Sequence, residues 1–540
     1  MGMPYGLQAM LKEGHKHFSG VEEAVVKNIE ACKALAQMTK TSLGPNGMNK
    51  MVINHLEKLF VTSDASTIVT EMDVYHPAAK LLVMAAKAQA GEVGDGTNLV
   101  LTLAGELLGN AEALLRDGLH TSEIADGYQR AADKALEVLE SLVLPGTETL
   151  DVKDKAAVAT RLRGAISSKQ LGYEDLLAPL IAEACIDVVP KNPANFNVDN
   201  VRIVKIMGGG LPDSAVVKGM LLKRDAEGTV KAATDAKVAV YAQGVDTSGP
   251  ETKGTVLIKS AQELESYSRS EEDTLEGYIK AVADAGARVL VSGGAVGEMA
   301  MHFAEKYGLL VLRIPSKFDL RRFCRATGAV ALVKLQPPQP DELGFAKQIE
   351  VQEVGGANCV VLRQDAALGS VSTIVLRGGT EGFLDDVERA VDDGINAYKA
   401  LCRDARCVPA GGASEVEMAR QVAEFGKKAT GLDQYAIARY AEALEVVPRT
   451  IAENSGLQAG DVLARLHAAH AAGQANAGVD IEGGAPKDLS AEGIMDVFAA
   501  KWWAVKLATD AVVTVLKVDQ IIMAKQAGGP KPRGGDGDDD

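Results

Sequence analysis

The stretch Glu92-Val93-Gly94-Asp95-Gly96-Thr97-Asn98, "EVGDGTN", sets one carboxylate between two glycines and follows it with two short polar side chains. It joins two helical patterns, an Ala/Leu/Met-rich run opened by Pro77 and a second run that begins at Asn98. "GDGTN" therefore lies at a helix N-terminus. The first turn of a helix offers free N–H groups and the positive end of the helix dipole, and so suits an anion. Glycine lets the backbone approach that anion closely. Read alone, Asp95 is an ordinary turn or N-cap acid. The segments around it must decide.

Upstream, apolar Val25, Ile29, Cys32, Leu35 and Ala36 recur at helical spacing within a segment from about Val21 to Leu43, which stops at "LGPNG". "MVIN" and "KLFVT" flank a short turn and predict a hairpin. "SDASTIVTEM" starts another helix, with Ser63 or Asp64 as its N-cap. From about Val201 to Val375 β-rich runs ("VRIVKIM", "KVAVYA", "RVLVSG", "LLVLRI", "VALVKL", "CVVLR", "TIVLRGG") alternate with helical ones, which predicts an α/β or α+β unit. "GGGLPDS" at Gly208 and "LRGGTEG" at Leu376 break the pattern near its ends and read as joints or plain turns. Long Ala-rich helical patterns return after about Val408. The tail "GGPKPRGGDGDDD" has no apolar residue and is expected to be disordered.

At 540 residues the chain exceeds the roughly 250–300 at which single cores stop growing, so several domains are expected. The net charge of −16 disfavours nucleic acid and anionic membranes as partners. No apolar run reaches the ~18 residues of a membrane span. The start, "MGMPYGLQAM", lacks a basic region and an apolar core, so no secretory signal is expected, and Gly6 stands where a myristoylation motif has Ser or Thr. Six scattered cysteines without a Cys-x-x-Cys pair read as reduced thiols of a cytosolic protein. His467 and His470 lack an acid or Cys partner nearby and read as helix surface rather than a zinc site. There is no Gly-x-x-x-x-Gly-Lys-Ser/Thr. "RVLVSGGAVGEMA" gives Gly293, Gly294 and Gly297 rather than the spaced three-glycine pattern of a dinucleotide fingerprint, lacks its acidic partner, and reads as a tight βα turn.

"TSLGPNGMNKMV", "VTSDASTI", "EVGDGTNLV", "VERAVDDGI", "VPAGGASEVEMA", "AENSG" and "KLATDAVVTVLKVDQII" stand in the order found in group II chaperonins, which this chain resembles from about Leu7 to Lys525. "GMNKMVINHLEKLFVT" and "IIMAKQAGGPKP" point to one branch of the eukaryotic cytosolic members. The resemblance implies a multidomain α plus α/β fold. Its parts would be a mainly helical, discontinuous equatorial ATP-binding domain (1–151 and 408–527), a small intermediate hinge domain (152–218 and 376–407), an α/β apical client-binding domain with a helical lid protrusion (219–375), and the acidic tail 528–540. It implies ATP/ADP and Mg²⁺ as ligands, and ATP hydrolysis coupled to folding of non-native client proteins, of the actin or tubulin type. It also implies a cytoplasmic hetero-oligomeric double ring of about 16 chains shared with roughly seven paralogous subunits.

A nucleoside triphosphate carries about four negative charges and needs backbone donors and a divalent ion. By resemblance Asp95 is the metal ligand, and Gly96, Thr97, Asn98 and Leu99 cradle phosphate oxygens. Leu43 and Gly44 form a second loop, Gly411 and Gly412 lie along the nucleotide, and Asp496 bonds the ribose. Ser168 and Lys169 approach from the intermediate domain, Lys169 toward the γ-phosphate. Asp64 and Asp393 are the catalytic acids; Asp392 reads as a solvated helix face. Ala65, Asn98 and Ala410 depart from the Gly, Thr and Gly usual in the family, which predicts slower hydrolysis without loss of binding. In "SKFDLRRFCRATGA" (316–329), Phe318, Arg321, Arg322, Phe323 and Arg325 are the implied client contacts, facing a lid between about Asp246 and Gly277 with the apolar patch Val256-Leu257-Ile258. The alternative for the phenylalanines is a core helix with a solvated basic face. Two other functions compete: a nucleotide-using metabolic enzyme, and a structural subunit with a silent site.

Overall fold

The structure, a computed structural model, describes residues 21–246, 261–364 and 371–521. The tail 528–540 and the patch Val256-Leu257-Ile258 lie outside the described residues.

The first part of the chain holds α1 (Val21–Lys40), the hairpin strands β1 (Lys50–Ile53) and β2 (Leu59–Thr62), and helices α2 (Ala65–Glu71), α3 (Pro77–Glu92), α4 (Thr97–Arg116) and α5 (Thr121–Ser141). Next come α6 (Lys155–Ser167), α7 (Glu174–Asp187), β3 (Val201–Met207), β4 (Ala215–Leu222), β5 (Ala232–Tyr241), α8 (Ala261–Asp284), β6 (Ala287–Ser292), α9 (Glu298–Lys306), β7 (Leu310–Arg313) and α10 (Lys317–Thr327). Strands β8 (Ala331–Leu332), β9 (Gly344–Val354), β10 (Ala357–Arg363) and β11 (Ser372–Gly378) lead into α11 (Glu381–Arg403) and β12 (Cys407–Pro409). The last part holds α12 (Ala413–Lys427), α13 (Asp433–Leu444), α14 (Val446–Asn454), α15 (Ala459–Ala471), β13 (Ala477–Val479), β14 (Pro486–Asp488), β15 (Met495–Val497) and α16 (Phe498–Leu516).

Among the described residues the cores are separate. The largest joins the two ends of the chain: Ile29, Leu82, Leu103 and Ile124 pack with Val422, Ile437, Val505 and Val512. Tyr128 and Tyr440 meet edge to face at 5.6 Å inside it, and both hydroxyls are bonded, to Leu107 O and Thr509 Oγ1. Such a pair adds about 0.5–1.5 kcal/mol beyond its buried area. Its partners come from α4, α5, α13 and α16, so it fastens the amino-terminal helices to the carboxy-terminal ones. A second core is shared by α6, α7, α11 and the inner residues of β3 and β11, among them Leu162, Ile181, Val391 and Ile395. The third and fourth lie against a nine-stranded mixed sheet in the order β3-β11-β4-β10-β9-β5-β6-β7, with β8 beside β5.

The sheet includes two strands absent from the sequence reading. β4 ("AVVKGMLL") is interrupted by Lys218-Gly219, and β9 ("GFAKQIEVQEV") alternates with charge, so neither forms an apolar run. "VALVKL" shrinks to the two residues of β8. The two glycine-rich breaks sit side by side, because β3 and β11 are parallel and Gly208 N–H donates to Gly378 O at 2.9 Å. His470 corrects the reading of a surface histidine. It is buried, with Nδ1 3.0 Å from Glu417 and Nε2 2.8 Å from the Ala477 carbonyl, because α15 turns that face onto α12.

Candidate functional site

Helix α4 starts at Gly96, which takes φ 79° and offers no side-chain cap, so the first N–H groups of the helix stay uncovered. Asp95 bends back over this end, and its Oδ1 accepts from Gly96 N–H at 2.7 Å. The loop is held from beneath by buried Gln89, whose Nε2 donates to Asp95 O at 2.7 Å and Ala500 O at 2.9 Å. Asn454 fixes the second loop, donating to Leu43 O at 2.8 Å and Lys40 O at 3.2 Å. On the far side Gly412 starts α12, again in the left-handed region and again without a side-chain cap. A Cβ at Gly412 would stand 2.7 Å from Pro448 Cβ, so this turn needs glycine for space as well as for φ.

These pieces wall one cavity of ≈ 500 Å³, within the usual range for a ligand pocket. Leu43, Gly44, Asp95, Gly96, Leu99, Ser168, Gly411, Gly412 and Asp496 all line it, together with apolar Val447, Ile451, Val479 and Ile494. A smaller cleft shares Leu43, Gly44, Asp95, Gly96, Leu99 and Ser168 and continues to Asp64, Thr97, Asn98 and Lys169. Asn98 spends its side chain inside the protein, donating to Thr39 O at 3.1 Å and accepting from Thr102 Oγ1 at 3.2 Å. Its backbone N–H, at the start of α4, remains for an anion.

Lys169 ties the cleft to a second core. Its ammonium lies 2.9 Å from Asp64 Oδ1 and also pairs with Asp393, on α11, the three side chains being 10–15% exposed. One turn pair back on the same helix, Asp386 accepts from Thr62 Oγ1 at 3.0 Å and from Gln170 Nε2 at 2.7 Å. Residues seven apart share a helix face, so α11 meets the β2–α2 segment along one line. Asp64 also caps α2, accepting from Thr67 N–H at 2.9 Å and Thr67 Oγ1 at 2.7 Å. Burial pushes the Asp64 carboxyl up, but the Lys169 charge and these hydrogen bonds outweigh it and hold the pKa at about 2. Asp95 goes the other way: burial raises its pKa, Asp496 and Asp64 add to the rise, and Lys169 and Gly96 N–H offset it only in part.

The described residues hold no group of three or more His, Cys, Asp or Glu able to bind a metal by themselves. Mg²⁺ needs no such group, since it commonly takes one or two carboxylates with phosphate oxygens and water. Asp95, buried and raised by neighbouring acids, fits as that carboxylate, since a cation beside it would relieve the repulsion.

Lys501, Glu415, Gln89 and Asp386 are parts of this region that the motif reading did not single out. Lys501 is 5% exposed, and its ammonium lies 2.8 Å from both Glu415 oxygens and 3.0 Å from Asp496 Oδ2. Burial opposes its charge, but the two acids raise its pKa above the ordinary lysine value. Only Glu415 fell inside a quoted motif, "VPAGGASEVEMA"; Lys501 in "AAKWWAVK" has no sequence signal beyond a lone charge on an apolar helix.

Helix α10 corrects one implied client contact. Phe323 is fully buried in the core under the sheet, while Phe318, five residues earlier, is 76% exposed. Arg321 is exposed. Arg322 Nε donates to Asp199 O at 3.3 Å and Arg325 to Asn200 Oδ1 at 2.6 Å, so the basic face rests on the turn before β3. Asp319 completes that contact by pairing with Arg202.

No described helix is long and apolar enough to cross a membrane. The model of the TCP-1/cpn60 chaperonin family matches residues 35–526. The chain is 58% identical over 528 residues to a protein named T-complex protein 1 subunit theta from Arabidopsis thaliana, covering 98% of this chain and 96% of that protein. It is 53% identical over 539 residues to the protein of that name from Homo sapiens (99% and 98% covered) and 50% identical over 527 to that from Dictyostelium discoideum (98% of each).

Proposed function

The chain belongs to the TCP-1/cpn60 chaperonin family, and from that premise we propose that it is an ATP-hydrolysing subunit of a cytoplasmic, hetero-oligomeric double-ring chaperonin. In this reading the core built from both chain ends is the equatorial domain, the α6–α7–α11 core the intermediate domain, and the nine-stranded sheet the apical domain. The observation that carries it is that Lys169 pairs with Asp64, which lines the same cleft as Asp95, and with Asp393 on α11, so that one ammonium ties the cleft to a second core.

The cavity takes the nucleotide between the starts of α4 and α12, whose free N–H groups face its phosphates. Asp95 would hold Mg²⁺, which when bound would neutralise phosphate charge. Asp393 orients the attacking water and accepts its proton as the water oxygen bonds the γ-phosphorus; the bond to the bridging oxygen breaks and ADP leaves. Asp64 shares this work from the equatorial side. Lys169 pairs with Asp393 in the structure, and a carboxylate so held is a poor base. A γ-phosphate that draws the ammonium away frees Asp393, which couples turnover to the approach of α11. Client contact falls to the exposed part of α10, Phe318 with Arg321, Arg322 and Arg325, and acidic unfolded segments suit that face. Ala65 and Ala410 add bulk near the phosphates and predict slower turnover than in sister subunits.

Photolabelling of this subunit by 8-azido-ATP in the purified particle tests the reading. Labelling that requires Mg²⁺ and is lost in Asp95→Asn supports it. Absent labelling, or labelling indifferent to Asp95, overturns it.

A further inference from the structure

The wall of the cavity opposite Asp95 is built from three separate segments: the Pro409–Gly412 turn, the first turn of α12, and β15. One buried ammonium touches all three. Lys501 Nζ reaches both oxygens of Glu415 at 2.8 Å, Asp496 Oδ2 at 3.0 Å and the Pro409 carbonyl at 3.4 Å. Glu415 is 2% exposed at its side chain and uses both oxygens on Lys501, so it has little left to offer a ligand. Asp496 differs. Both acids line the cavity, but the Asp496 side chain is 30% exposed and gives only one oxygen to Lys501. A carboxylate tethered through one oxygen keeps acceptor capacity on the other and loses its freedom to turn away. Strand β15 fixes the backbone beneath it, with Asp496 opposite Val408 in the register with β12.

We infer that Lys501 is a positioning residue that sets this subunit's selectivity for a nucleotide with an intact ribose diol, by holding a free oxygen of Asp496 toward the cavity as a hydroxyl acceptor. The inference rests on the nucleotide reading above and deepens it. Glu415 has a different part: it neutralises the ammonium and seats α12, and both its oxygens are taken by Lys501. A hydroxyl bonded to a charged acceptor in a water-poor site separates ligands with and without it by roughly ten-fold or more.

The experiment is competition of ATP and 2′,3′-dideoxy-ATP against 8-azido-ATP labelling of this subunit within the assembled particle. In the native subunit dideoxy-ATP competes about ten-fold or more worse than ATP. Lys501→Met shrinks that ratio to below about three-fold, Asp496→Asn does the same, and the double variant shows no further loss. Glu415→Gln, which disturbs the same buried network but leaves the ammonium on Asp496, keeps the ratio. A native ratio retained in Lys501→Met overturns the inference, and so does a ratio lost equally in Glu415→Gln, which would make the network merely structural. If Lys501→Met does not assemble, the contrast between Glu415→Gln and Asp496→Asn decides by the same criterion. Failure of the native subunit to label at all would overturn the nucleotide reading instead.

Discussion

The cleft around Lys169 and the face of α10 both gather charge, and they differ in how each charge is answered. In the cleft, Lys169 is paired by acids 105 residues before it, at Asp64, and on α11, at Asp393, and all three are largely buried. On α10, Arg322 donates to Asp199 O and pairs with Asp319 one turn earlier, Arg325 donates to Asn200 Oδ1, and Arg321 is exposed. Buried, mutually fixed charges cannot be exchanged for solvent without cost, so they suit a site whose geometry must be the same in every cycle. Arginines at or near the surface can trade partners at little cost, which suits the client contact proposed for this face.

The sharpest way to break that contrast lies within α10 itself. Phe323→Ala should destabilise this subunit by about 3–5 kcal/mol, as truncation of a buried aromatic does, while Phe318→Ala stays within about 0.5 kcal/mol. Urea midpoints of the two variants measure it; similar values would mean that α10 is not seated as described.

In the cleft, Lys169→Met leaves Asp64 and Asp393 facing each other without a cation. It should cost about 3 kcal/mol, less than a fully buried pair because the groups retain slight exposure. A double variant that also carries Asp393→Asn should recover part of that loss, and equal losses in single and double variants would show that the cluster is not coupled.

Acid titration probes the same pair more gently. The folded pKa of Asp64 is about 2, below the ~3.9 of an unfolded aspartate. A depressed carboxylate contributes stability above its unfolded pKa and loses it as pH falls through the folded one. The contribution, about 2 kcal/mol, should be present at pH 5 and largely gone by pH 2. The stability difference between the native subunit and Asp64→Asn should shrink across that window; a constant difference would contradict the ion pair.

The smallest effect on stability belongs to the triple change Arg321→Glu, Arg322→Glu and Arg325→Glu, about 1 kcal/mol or less since the groups lie at the surface. Crosslinking to an unfolded acidic client should nevertheless fall several-fold, with ATP turnover and assembly kept. Unchanged crosslinking in intact rings would assign α10 to scaffold.

The same contrast explains what the sequence disclosed. The helix start at Gly96 was legible because glycine beside an acid at a helix boundary leaves a local mark, whereas the parts assigned to Asp95 and Gly412 came from the resemblance; Gly96 and Gly412 both occupy left-handed positions that few other residues tolerate. Lys501 was not legible, because nothing in "AAKWWAVK" shows that α16 lies beneath Glu415 and Asp496. Phe318 and Phe323 could not be ranked from their types; the side of α10 that meets the sheet decides between them, and that is a tertiary fact. β4 and β9 were missed for a related reason, since strands inside a mixed sheet can carry charge at alternate positions when the opposite face is the buried one. His470 carries no sequence mark of burial, because only the packing of α15 on α12 brings it against Glu417. Pairing of the two chain ends into one core came from family resemblance, and no local pattern could have supplied it.

The central claim is that acids from two cores meet at one nucleotide, and turnover by Asp393→Ala tests it most directly. In particles whose other subunits have disabled sites, the account predicts 8-azido-ATP labelling within about two-fold of native and hydrolysis reduced by roughly a hundred-fold or more. Hydrolysis at the native rate with labelling intact would contradict it.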